Sequence, residues 1–250
     1  MKFSILGFGN LGQAIAMALI NSNSVKAGDL SVFDNSPDAL ALAGSQRFSA
    51  QAFTDINRAI SGTDVIFLTL KGWVFAEIAA NIDKNLLNGK IIVSCMAGET
   101  FEKIRSHIGD ADIVRAMPSL AISFLEGVIG YTKTAPELAE IFQRFGYAQE
   151  TEPENIEKFM AFSACGLGFA AYLIDAFAVA GETMGFSVET AAKIAGLTFK
   201  NAVDRGGFKE TVKAVATPGG ATEQGINHMN QSGVQSIVAK AMQQAYGRYV

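Results

Sequence analysis

The chain has 250 residues and carries 20 Lys+Arg against 24 Asp+Glu, a formal net charge of −4. With 49% hydrophobic and 18% charged residues it is too apolar for a disordered chain and long enough for one or two domains with a sizeable core. The slight acidic balance excludes a protein held to nucleic acid through phosphate contacts, and two cysteines in apolar runs, Cys95 and Cys165, exclude a disulfide framework and fit a reducing compartment.

Lys2 and the stretch FSILGFGNLGQAIAMALI invite comparison with a secretory leader. Gly7, Gly9, Asn10, Gly12 and Gln13 break the stretch, and no small-residue cleavage site follows. No uninterrupted apolar run approaches the length of a membrane span. A soluble, cytoplasmic protein is expected, with no membrane or nucleic-acid partner.

In chain order, Phe3–Leu6 predicts a strand ended by glycines, and Asn10–Ile20 a helix with Leu11, Ile15, Ala18 and Leu19 on one face. Leu30–Phe33 is a second strand and Pro37–Ala43 a short helix. Val65–Leu70 is a continuous apolar run, the mark of a strand buried on both faces of a parallel sheet. Val74–Ala80 predicts a helix, Ile91–Ser94 a buried strand and Phe101–His107 a helix. Ile113–Ala116 is a strand ended by Met117-Pro118. Val128–Tyr131 and Tyr147–Gln149 are later strands flanking a helix over Pro136–Phe145. This alternation predicts a Rossmann-type, doubly wound α/β sheet.

The character changes near Glu150–Pro153, which places a domain boundary between residues 151 and 152. Beyond it no strand is expected. Ile156–Gly185 predicts a long helix, apolar nearly all round, and Val188–Asp204, Lys209–Ala214, Ala221–Asn230 and Val234–Tyr249 complete an all-helical half. A helix apolar on every face needs cover on every face. About 100 residues give limited cover, so residues 152–250 are expected to form a dimerisation domain, in a homodimer or larger homo-oligomer.

Gly7-Phe8-Gly9-Asn10-Leu11-Gly12 follows the first strand and opens the first helix, and Asp34 ends the next strand about twenty residues on. This is the context of a dinucleotide loop. Gly7 allows the tight turn, Gly9 lets backbone approach a pyrophosphate, and Gly12 lets helix and strand pack closely. Asp34 favours NAD, because a carboxylate accepts ribose hydroxyls and repels a 2′-phosphate; Asn35 and Ser36 can hydrogen-bond a phosphate, so NADP or NAD stays open. Thr217-Pro218-Gly219-Gly220-Ala221-Thr222 precedes a helix. Its glycines free backbone N–H groups to converge on a carboxylate or phosphate, although a plain interhelical turn reads the same way. Lys71, Gly72 and Arg115–Ser119 share the edge at the strands' C-terminal ends, where open α/β sheets bind ligands; solvated loop charges are the alternative for Lys71 and Arg115. His107 and His228 are the two histidines, both in helical runs, and no metal site is expected.

Together these segments resemble the pyrroline-5-carboxylate reductase family. The resemblance rests on GFGNLG, Leu70-Lys71, the Ser94–Gly98 turn SCMAG, Arg115–Ser119 (RAMPS), Asp175, Gly181, Met184-Gly185, and TPGGAT at Thr217–Thr222. It covers essentially the whole chain and implies NAD(P)H-dependent reduction of a small cyclic imino acid, most simply 1-pyrroline-5-carboxylate to proline. It implies coenzyme contacts at Gly7–Gly12, Asp34, Asn35, Lys71, Ala97, Met117 and Pro118. It also implies substrate contacts at Thr217, Gly219, Gly220 and Ala221, with Thr222 as the catalytic residue near the ring nitrogen. The chain departs from the family where Gly72-Trp73 replaces Pro-Gln, where Ser119 replaces Asn, and where Ser163–Phe169 loses a Pro and a Tyr. Arg205 and Lys213 stand where the family has acids. A reductase of a different cyclic imine, or a noncatalytic, regulatory nucleotide-binding relative, fits those departures. A hydroxy-acid dehydrogenase of the same layout needs a Lys or His base, which the long helix lacks after Lys158.

Overall fold

A computed structural model describes residues 1–26 and 28–249. They divide into two compact units, one of residues 1–164 with the chain end from Tyr246, the other of residues 165–245.

The first unit is built on eight strands, β1 (Phe3–Leu6), β2 (Leu30–Phe33), β3 (Gln51–Phe53), β4 (Val65–Leu68), β5 (Ile91–Ser94), β6 (Asp112–Pro118), β7 (Gly127–Tyr131) and β8 (Gly146–Glu150). Their order across the sheet is 3-2-1-4-5-6-7-8, with every neighbour parallel except the β6–β7 pair. The chain order reverses between β1 and β4, and that switch opens a crevice beyond the strand ends. The helices are α1 (Asn10–Asn21), α2 (Pro37–Ala43), α3 (Ile56–Ile60), α4 (Gly72–Ile78), α5 (Phe101–Ile108), α6 (Pro136–Arg144) and α7 (Ile156–Phe159).

Side chains alternate along each buried strand and feed two cores. Phe3, Ile5, Val65 and Phe67 pack with Ile15 and Leu19 of α1 and with Phe142 of α6. Leu6, Ile66, Leu68 and Ile92 pack on the other face with Ile60, Phe75, Ile104 and Ile108. Residues of β1, β2 and β4 are buried throughout, as a sheet covered on both faces requires. The doubly wound class expected from the sequence is therefore present. Two elements have no sequence signal: β3, whose Gln51 and Ala52 are exposed, and the short α3, capped by Asp55.

The second unit holds α8 (Cys165–Thr183), α9 (Val188–Arg205), α10 (Phe208–Val215), α11 (Ala221–Gln231) and α12, which starts at Val234 and ends at Gly247 in the first unit's segment. Its internal core is small: Ala178, Ala191 and Ala195 with Ile174 beside them. Gly181 lets α8 and α9 approach, since a Cβ there would lie 3.2 Å from that of Ala191. Within α8 only Ala178 is buried, and Tyr172 is 72% exposed and Phe177 50%. The single chain thus leaves bare the helix that was expected to need cover. Pro153–Thr183 is one 31-residue helical run, by length and composition apolar enough to cross a membrane. The sequence reading looked for an uninterrupted apolar run; here Gly166, Gly168 and Asp175 interrupt the run without ending the helix.

Covering the bare side chains would stabilise an assembly by about 1.5–3 kcal/mol for each large residue buried. Tyr172→Glu is therefore expected to break the assembly while the first unit stays folded. Light scattering checks this, and an unchanged oligomer mass would remove Tyr172 from the interface.

Candidate functional site

β1 ends at Leu6 and the chain turns through Gly7 at φ +99°. α1 then starts with Gly9 as its N-cap and no side-chain cap. A Cβ at Gly7 would press on Leu70, and one at Gly12 would strike the Gly7 carbonyl oxygen and come within 3.2 Å of Ile5. Gly9 differs: a Cβ there would meet nothing within 4 Å. Gly7 and Gly12 are thus required by the fold, and Gly9 leaves room above its backbone. The loop is held from outside. Phe8 N–H donates to Asp34 Oδ2 at 2.7 Å, Ser36 N–H donates to Asp34 Oδ1 at 2.8 Å, and Thr69 Oγ1 donates to the Gly7 carbonyl at 2.6 Å. Ser36, not Asp34, caps α2.

A pocket of about 630 Å³ gathers Gly9, Asn10 and Leu11 with Lys71 and Ala97. Other expected coenzyme residues lie outside its lining. Gly7, Phe8 and Gly12 are buried behind it, with the Phe8 ring edge-on to Phe48 at 5.0 Å, so only backbone of Phe8 is near the loop surface. Met117 and Pro118 are buried in β6, and Asp34 and Asn35 follow β2. The pocket also holds residues the sequence did not assign to the coenzyme: Thr69, Trp73, Glu99, Lys103 and, from the chain end, Arg248 and Tyr249. Trp73 stands at the departure from the family's Pro-Gln, a signal that was legible. Tyr249 has no local signal, because only folding brings its ring against Gly98.

Arg115 is not a solvated loop charge. It is 4% exposed, and its Nη2 donates to Glu157 Oε1 at 2.6 Å and to the Met96 carbonyl at 3.1 Å. Glu157 is 6% exposed, and its Oε1 also accepts from Gly98 N–H at 2.9 Å. Burial pushes the nearby Cys95 thiol up to about 12, against a smaller opposing pull from the Arg115 charge, so this pocket-lining thiol stays protonated at neutral pH.

Thr217–Thr222 lies in the second unit. Gly219 has φ +73°. Its N–H donates to the Glu223 carboxylate at 2.7 Å, and Gly220 N–H donates to the Thr217 carbonyl at 2.9 Å. Both expected anion donors therefore have partners within the loop. Thr217, Ala221 and Thr222 are exposed, and Thr222 sits in the first turn of α11. No group of three potential metal ligands occurs among the described residues.

Two family profiles match the chain. Residues 153–250 match "Pyrroline-5-carboxylate reductase dimerisation", and residues 2–98 match "NADP oxidoreductase coenzyme F420-dependent". The pyrroline-5-carboxylate reductase of Escherichia coli K12 is 28% identical over 96% of this chain and 94% of its own. That of Aquifex aeolicus is 28% identical over 97% and 94%. A solved pyrroline carboxylate reductase of Plasmodium falciparum, with NADP bound, superposes with a TM-score of 0.89 at 21% identity, covering 100% and 97% of the two chains. The helical half of the chain thus matches a pyrroline-5-carboxylate reductase dimerisation domain, and the chain along nearly its whole length is similar to reductases of that name. With these domain matches it is an NAD(P)H-dependent oxidoreductase acting on C=N, and it assembles as a homo-oligomer through its helical half. An uncapped helix N-terminus beside open glycine backbone, both lining one pocket, fits the pyrophosphate of that coenzyme.

Because Gly9 has open space and an ordinary negative φ, Gly9→Val is expected to fold normally and to weaken coenzyme binding about tenfold or more. Calorimetry with reduced coenzyme checks this, and parental affinity would put the pyrophosphate elsewhere. The Cys95 thiol makes a second prediction. Its folded value lies above the usual 9, so the unfolded chain loses this proton first and stability falls as pH rises from about 9 to 12. The slope is about 1.4 kcal/mol per pH unit. Urea unfolding at matched protomer concentration should show the gap between parent and Cys95→Ala closing over that window. A constant gap would show an unperturbed thiol.

Proposed function

We propose that this chain reduces 1-pyrroline-5-carboxylate to proline. The observation that carries the reading is the joint presence of the RAMPS strand end and the TPGGAT loop, in a chain that matches the Escherichia coli reductase almost end to end. Residues 1–151 act as the dinucleotide-binding domain and 152–250 as the dimerisation and substrate domain. A cytoplasmic location belongs to the same proposal, supported by Cys95 and Cys165 standing outside any disulfide.

When bound, the coenzyme supplies a hydride to the imine carbon. A cyclic imine is readily protonated, which makes that carbon electrophilic, so the protein's task is mainly orientation. That suits a chain whose two histidines lie in helices, His107 edge-on to Phe75. The Gly7–Gly12 loop holds the pyrophosphate on backbone N–H groups. Asp34 has one intramolecular bond on each oxygen and lone pairs to spare for ribose hydroxyls, with Asn35 beside it. Lys71 and Ala97 bound the coenzyme within the pocket, and Met117 and Pro118 back its nicotinamide end.

The substrate's carboxylate is assigned to the Thr217–Ala221 loop and its ring nitrogen to the Thr222 hydroxyl. Glu223 occupies the Gly219 N–H as a carboxylate, the chemical group the substrate would present there. Taking that place would require the substrate to displace it. Leu167 and Phe169, in place of the family's Pro and Tyr, favour a second reading, a cyclic imine of different ring size or substitution.

Thr222→Ala should lose about 1–3 kcal/mol of transition-state binding, seen mainly in turnover. Gly220→Val should be more severe, because its Cβ would press on Thr217. Coenzyme affinity should survive both. The assay follows oxidation of reduced nicotinamide with five- and six-membered cyclic imino acids and both coenzymes. Unimpaired reduction in both variants would move the substrate elsewhere, and no reduction by the parent would favour the regulatory relative.

A further inference from the structure

The Arg115–Glu157 pair sits in the first unit, below the pocket rather than in its lining. It is expensive where it is. Burying two charges costs more solvation than their attraction returns unless each finds further hydrogen bonds, and an apolar pair of the same volume is often as stable. Among the described residues, Arg115 Nε and Glu157 Oε2 are buried without a hydrogen-bond partner. A pair chosen only for core stability would not leave them so.

What the pair does satisfy is one turn. Arg115 Nη2 donates to the Met96 carbonyl, and Glu157 Oε1 accepts from Gly98 N–H, so the polar groups on either side of Ala97 end on the two halves of one ion pair. Gly98 stands at φ +76°, and the turn is further tied by Lys103 Nζ, which donates to the Gly98 carbonyl at 3.1 Å. Met96, Ala97 and Gly98 all line the coenzyme pocket. Both members of the pair are themselves fixed. Arg115 N–H donates to Thr132 Oγ1 at 2.9 Å, and Thr132 N–H donates back to the Arg115 carbonyl at 2.9 Å, between β6 and β7. Glu157 is carried by α7, whose Ile156 is fully buried and whose Phe159 lies on the bare backbone of Gly130.

We propose that Arg115 and Glu157 are positioning residues: they set the Met96–Gly98 turn and thereby the placement of the coenzyme's reactive end against the imine. The proposal rests on the reductase reading above. It makes the first turn after the strand domain part of the site, because α7 supplies one half of the staple. A misplacement of about 1 Å at a reacting centre can cost a hundredfold in rate, so a turn fixed at two peptide groups is a meaningful lever.

Glu157→Gln keeps the volume and removes the charge. It is expected to raise the Kd of reduced coenzyme and lower kcat each about tenfold, to leave the KM for the imino acid within about twofold, and to speed hydrogen exchange at the Gly98 amide about tenfold. Arg115→Met combined with Glu157→Met separates positioning from stability. Its melting temperature should return towards the parent's, since the apolar pair fills the space, whereas kcat and coenzyme affinity should stay low. A folded double variant with parental kcat and affinity would overturn the proposal. Should that variant fail to fold, Glu157→Gln decides alone: parental kcat, coenzyme Kd and Gly98 exchange would overturn it. If the parent reduces no cyclic imine, the reductase reading fails. The pair is then judged on coenzyme Kd and Gly98 exchange, and parental values of both in Glu157→Gln would overturn the positioning role too.

Discussion

Neighbouring parallel strands cannot be joined by a tight hairpin, and a sheet made of them is apolar on both faces. Each strand must therefore be followed by a crossover helix that returns over one face or the other. In the first unit this requirement sends Phe3, Ile5 and Phe67 one way and Leu6, Ile66 and Leu68 the other, each into its own helical layer. It also gathers the ends of β1, β4 and β5 along one edge. The pocket exists because those ends and the helix starts beyond them meet there: Gly9 after β1, Lys71 after β4, Ala97 after β5.

Along that edge much of the polar surface at the two turns is backbone. The glycine loop offers N–H groups and space, not side chains, and its shape is fixed by Asp34 and Thr69 reaching in from the neighbouring strands. The Met96–Gly98 turn is fixed in the same way by Arg115 and Glu157. Polar side chains here are supports for peptide groups. The buried thiol at Cys95, neutral at ordinary pH, adds no charge to this pocket.

The second unit follows the opposite rule. Its helices have little internal core, and large apolar side chains of α8 stand exposed in the single chain. The match of residues 153–250 to a dimerisation domain says what covers them: a second copy of the chain. The physical reason is area: about a hundred residues of helix cannot enclose a helix apolar on all sides, whereas a second copy can.

Much was legible from sequence because it depends on local pattern. Continuous apolar runs mark buried parallel strands, GFGNLG fixes a strand-turn-helix junction, and a change of composition near Glu150 marks the end of alternation. β3 and α3 were not legible, being short and lacking a periodic apolar face. Nor was the burial of Arg115: a charge at a strand end reads as solvated until its partner is known, and that partner lies 42 residues away on α7. The two N–H groups of the TPGGAT loop were readable as anion donors, yet Glu223 and Thr217 already engage them. The sequence by itself determined the longer strands and helices and the glycine turn that joins β1 to α1. Only the tertiary structure decided which charges are buried, which glycines are needed for packing and which for access, and that Tyr249 closes on Gly98. The difference is physical: periodicity acts within a few residues, whereas desolvation and close contact depend on groups far apart in the chain.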